Sequence, residues 1–159
     1  MVRIRNGIFE TNSSSVHVLV IPKDTNINIP TKIYLHRGEY GWETDDVIDT
    51  IDYFYQACVD RGRDEVMKFI EYLKRKGVEE IHCKELDYPH KEDNWLTSGW
   101  IDHGNEIPLD ELFSNESLLD RFLFGEGSFV RTGNDNGYDE CPDENDFDSS
   151  LYDTIEKGN

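Results

Sequence analysis

The residues best suited to chemistry are five histidines, His17, His36, His82, His90 and His103, and three cysteines, Cys58, Cys83 and Cys141. Imidazole nitrogen and thiolate sulfur suit Zn2+, and a structural zinc site takes four such ligands in a tetrahedron. His82, His90 and His103 share the stretch 82–103 with Cys83. No Cys-x-x-Cys pair is present, which excludes a standard zinc ribbon or knuckle. A site would therefore draw ligands from separate elements, with His17 on one strand, Cys83 on another and Asp102 or His103 at a corner. Each residue also has an ordinary role open to it. His17 fits a hydrogen-bonded histidine in a sheet, Cys83 a small core residue, and His36 and His90 exposed loop positions.

A second chemistry sits in "FETNSSSVH", residues 9–17. Ser13, Ser14 or Ser15 with His17 and an acid, Glu10 or Asp102, would copy a Ser-His-acid triad. No G-x-S-x-G elbow accompanies them, and nothing places a serine at a strand-to-helix turn beside an oxyanion hole. Serines ahead of a strand more often bond back to the backbone and shape a turn. Carboxylates are so abundant that no single pair is informative. "GNDNGYDE" does not complete a calcium-binding loop. No Walker A or G-x-G-x-x-G segment argues for a nucleotide cofactor.

The elements that must position these groups follow from local pattern. "VRIR" and "SVHVLVI" are rich in β-branched residues and read as strands. "TKIYL" is a third, and the short connections predict antiparallel pairing among the three. "ETDDV" opens a helix with Thr44 as N-cap, and Val47, Ile48, Ile51, Phe54, Tyr55 and Cys58 fall on its apolar face. "RDEVMKFIEYLKRKG" is a second helix, with Val66, Met67, Phe69, Ile70 and Leu73 as its stripe and Gly77 as its stop. "VEEIHC" turns into a strand, and residues 84–99 form a long polar loop. "WIDHG" ends a strand or turns a corner. "PLDELFS" and "NESLLDRFLFG" are short helices, the latter stopped by Gly125. "SFVRT" is the last strand, and "LYDTIEK" reads as a turn or two of helix docking back. The expected fold is α+β, a mainly antiparallel sheet with two central helices packed on it, short C-terminal helices and an acidic C-terminal arm. Residues 1–132 make one domain, and 133–159 the arm, packed on that domain or loosely held.

With 159 residues, the chain suits one domain with a sizeable core. Apolar residues are 36% and aromatics 12%, so the core is built from few, large side chains such as Phe54, Phe69, Trp95, Trp100 and Phe122. No apolar run approaches the roughly 20 residues of a membrane helix. "MVRIRNGIFE" lacks the apolar stretch of a secretory signal, which predicts a cytosolic protein with reduced cysteines. The net charge of −18 repels phosphate, so direct nucleic-acid binding is not expected. The same charge attracts basic protein surfaces, including those that hold nucleic acid, while its simplest role is to keep the chain soluble and monomeric.

Three segments together carry a resemblance: "RIRNGIFETNSSSVHVLVI", "WIDHG" and "FLFGEGSFVRTGNDNG". The chain resembles a group of small acidic phage and prophage proteins that open with FETNSSS-x-H, and is similar to a zinc-containing type II-A anti-CRISPR family. The matched segments cover the first fifth of the chain and much of 100–137. The resemblance implies binding to a host CRISPR effector nuclease, at its recognition lobe, and blocking of target DNA loading in the bacterial cytoplasm. It further implies a structural Zn2+ for which His17, Asp102 and His103 lie in matched segments. Cys83 joins that set on chemistry alone, since 78–84 lies outside them. No dimer-forming feature is evident, so a monomer is expected. A reading from another class is a metal-dependent hydrolase with His17, Asp102, His103 and Asp135 around a catalytic ion, which would need an open coordination position and a general base.

Overall fold

The computed structural model describes residues 15–40, 48–83, 100–101, 107–134 and 144–157. In chain order the elements are β1 (Ser15–Pro22), β2 (Lys32–Leu35), β3 (Glu39–Tyr40), α1 (Thr50–Arg61), α2 (Arg63–Arg75), β4 (Glu80–Cys83), β5 (Trp100–Ile101), α3 (Leu109–Ser114), α4 (Glu116–Phe124), β6 (Phe129–Asn134), a 3-10 turn (Glu144–Asp146) and β7 (Tyr152–Lys157). The fold is α+β, with helices set against an antiparallel three-stranded sheet.

That sheet has the order β6-β1-β7, with β1 antiparallel to both neighbours. Successive side chains on a strand point to opposite faces, and β1 is apolar on both. Leu19 and Ile21 enter the main core. Val16, Val18 and Val20 form a second, smaller cluster with Phe129, Phe147 and Tyr152. A central strand buried on both faces explains why "VHVLVI" is a continuous apolar run interrupted by one histidine. Phe147, just beyond the 3-10 turn, meets Phe129 edge-on at 5.8 Å and so helps cover the second face.

Two local expectations change in the folded chain. "TKIYL" does not join β1. It forms β2 and pairs in parallel with β4, Ile33 opposite Ile81 and Leu35 opposite Cys83. Parallel neighbours need a long crossover, and the α1–α2 pair between β2 and β4 supplies one. "LYDTIEK" is not helical but forms β7, because it can close the second edge of β1 while Ile155 packs on the main core and Tyr152 on the smaller cluster.

The helical layer is built around α1. It begins later than the apolar pattern alone implies, since Ile48 forms a β-bridge to Val130 and Asp49 is the N-cap, accepting from the Ile51 and Asp52 amides at 2.9 and 3.0 Å. Thr44 and Val47 lie outside the described residues. All six residues from Tyr53 to Cys58 are buried, so α1 is a central helix and not a one-faced surface helix. Gly62 joins α1 to α2 at φ 128°, a conformation that favours glycine. Along α2 the buried stripe is Phe69, Ile70, Tyr72 and Leu73, while Met67 is exposed. Phe54 is the aromatic hub, meeting Phe69, Phe113 and Phe122 edge-on at 5.0, 5.4 and 6.4 Å. Trp95 lies outside the described residues. Arg121 of α4 ties the C-terminal strand to the body, donating to the Pro22 carbonyl and to Asp153, both at 2.9 Å.

Candidate functional site

Among the described residues the buried polar side chains are His17, Gln56 and Thr132. Two of the three are set opposite one another by the sheet, since the antiparallel register pairs His17 on β1 with Thr132 on β6. The His17 ring also lies against Tyr53 of α1, with centroids 5.8 Å apart. Tyr53, Gln56 and Asp60 follow at i, i+3 and i+7, which places them along one side of the helix. This side runs from the His17 ring toward β5. Gln56 Nε2 donates to Asp60 Oδ1 at 2.7 Å, and the Ile101 amide donates to Asp60 Oδ2 at 2.9 Å. Burial pushes the Asp60 carboxyl above its ordinary range, an effect opposed by the Ile101 amide, by Gln56 and by the charge of Arg37. Asp60 therefore anchors the short strand that leads directly into Asp102 and His103. These two residues, like Asp135, Ser13, Ser14 and Glu10, lie outside the described residues.

Cys83 has different surroundings. Its side chain is buried, and Sγ donates to the Tyr55 hydroxyl at 2.7 Å. Tyr53 and Tyr55 are two residues apart on α1, a rotation of about 200° on a helix of 3.6 residues per turn. His17 and Cys83 thus approach α1 from different sides, His17 from the three-stranded sheet and Cys83 from the β2–β4 pair. Among the described residues, no three His, Cys, Asp or Glu side chains are grouped to hold a metal.

The remaining histidines of the described segments are at the surface. His36 donates its backbone amide to Asp52 at 2.8 Å, and its Nδ1 lies 3.4 Å from the same carboxylate. Burial raises the Asp52 carboxyl above its ordinary range, against the lowering influence of the His36 amide. His82 stacks on Tyr34 across the β2–β4 pair. His90 lies outside the described residues.

Sequence reasoning reached His17 because a histidine inside an apolar strand is conspicuous. It missed Gln56, Asp60 and Thr132. The available signal was Gln56 itself, a polar residue between Tyr55 and Ala57 with an acid four positions on, the spacing of a side-chain pair on a helix.

Compared with known proteins, the chain matches no family model, no curated sequence and no solved structure. No helix among the described residues is long and apolar enough to cross a membrane.

Proposed function

We propose that this chain is a non-catalytic, phage-encoded inhibitor that binds a host type II CRISPR effector nuclease at its recognition lobe and prevents loading of target DNA. The observation that carries the reading is the net charge of −18. RNA-guided nucleases hold their heteroduplex in positively charged channels. A small acidic protein associates quickly with such a surface and competes with the phosphate backbone for it. Further support comes from the resemblance of "FETNSSSVH" and its companion segments to acidic phage proteins. Exposed acids are spread over several elements, including Asp64 and Glu71 on α2, Asp110 and Glu111 on α3, and Asp148 ahead of β7.

In this reading the protein works as a monomer in the cytoplasm of the infected bacterium. A structural zinc draws on His17, Asp102 and His103, with Cys83 either its sulfur ligand, on chemistry alone, or a core thiol held by Tyr55. The ion would supply a cross-link between distant segments of a chain poor in aliphatic residues.

The test is target-DNA binding and cleavage by the guide-loaded nuclease with and without the protein. Both are expected to fail at excess inhibitor, and inhibition is expected to weaken with salt. Unimpaired DNA binding at saturating inhibitor would overturn the proposal. Elemental analysis of protein purified without a histidine tag tests the zinc.

A further inference from the structure

The outer face of the β2–β4 pair carries a ladder of side chains that the core does not use. The parallel register sets Lys32 opposite Glu80 and Tyr34 opposite His82. Ile33, Leu35 and Cys83 point the other way and are buried. Tyr34 is 55% exposed, a high value for an aromatic side chain. Its ring stacks on the His82 ring, centroids 4.8 Å apart and 15° from parallel. Lys32 Nζ lies 5.3 Å from the Tyr34 centroid and 2.7 Å from Glu80 Oε2. The face therefore already holds one cation of its own, placed at once against a π system and a carboxylate. Lys32 keeps the Glu80 carboxyl below its ordinary range, so that group stays ionised.

We infer that this face is a docking surface for an arginine side chain on a basic protein partner. An exposed lysine ion pair contributes little and is readily displaced. A guanidinium is a better occupant. It is planar, weakly hydrated, stacks on aromatic rings and meets a carboxylate through two N–H donors. The Tyr34–His82 stack limits both rings before binding, so little side-chain entropy is lost on contact. Tyrosine and arginine are also the residues that most often dominate interface energetics. The occupant's sign follows from the net charge of −18, which draws a basic protein and repels the phosphates of a nucleic acid. The inference holds for any such partner and does not depend on the nuclease proposal.

The probe is a tetra-arginine peptide, compared with tetra-lysine at equal ionic strength. Binding to the full chain is followed by calorimetry and by the ring resonances of Tyr34 and His82. Tetra-arginine is expected to shift those resonances and to bind about tenfold more tightly than tetra-lysine, the scale of a cation–π and bidentate contact. Tyr34→Ala should remove that advantage and Tyr34→Phe should keep it. Lys32→Ala should tighten arginine binding, because it removes the resident competitor. Lys74→Ala, on the exposed side of α2, should leave the preference for arginine over lysine intact. Equal binding of the two peptides, no binding of tetra-arginine, or a Tyr34→Ala variant that retains the preference would each overturn the inference. So would a single-stranded DNA oligonucleotide that shifts the same rings in place of the peptide.

Discussion

Replacing Cys83 by alanine separates a core thiol from a zinc ligand. In the folded chain Cys83 is buried beneath the β2–β4 pair and its Sγ donates to Tyr55 at 2.7 Å. Cys83→Ala removes one neutral hydrogen bond, a loss of about 1 kcal/mol. It also removes one buried heavy atom and leaves a small void, for about 1 kcal/mol more. The sum, about 2 kcal/mol, corresponds to a fall of about 4–8 °C in Tm for a chain of this size. A structural zinc ligand would behave differently. Zinc binding of this kind contributes on the order of 10 kcal/mol, comparable with the whole stability of a domain. The assay is thermal unfolding by circular dichroism, in reductant, with and without a chelator, on protein made without a histidine tag. The variant is expected to remain folded, to retain whatever zinc the wild type carries, and to respond to chelator as the wild type does. An unfolded variant, or one that has lost its zinc, would refute the placement of the thiol against Tyr55 and assign Cys83 to the ligand set.

Arg121→Ala removes the two contacts that hold β7 and the end of β1 to α4, and about 1–3 kcal/mol of stability should go with them; amide exchange in Tyr152–Lys157 should quicken more than in α2. At Gly125 an added Cβ would run into the carbonyl oxygen of Arg121 and the Thr25 side chain, so Gly125→Ala should cost about 2 kcal/mol or more in urea unfolding. Asp52 and Asp60 are both raised by burial. Below those raised values, and down to the ordinary Asp range, the folded state holds more protons than the unfolded one, so stability grows as pH falls through them. Glu80 and Glu116 are lowered by their ion pairs, and what they contribute is lost only under more acid conditions, below the ordinary Glu range. As pH falls toward the ordinary Asp range these two carboxylates should therefore add to the urea midpoint, and Asp52→Asn and Asp60→Asn variants that keep the wild-type pH dependence would contradict their burial.

The sequence by itself determined the elements whose signals are local. The limits of α2 follow from its apolar stripe between Arg63 and Gly77, where a φ of 97° requires the residue that ends it. β1 follows from a run of β-branched residues, and α3 and α4 from short apolar patterns with Asn115 as a cap between them. His17 was legible for the same reason, as the one polar break in that run. Tertiary structure alone decided which strands meet. "TKIYL" carries no mark that sends it to Glu80–Cys83 rather than to β1, and "LYDTIEK" becomes a strand because β1 offers an edge to it. Only the fold buries Gln56 and Thr132 and sets His17 and Cys83 on different sides of α1. Periodicity and capping act within a few residues along the chain. Strand partners and side-chain clusters depend on burial shared between segments far apart in sequence, which no local window contains.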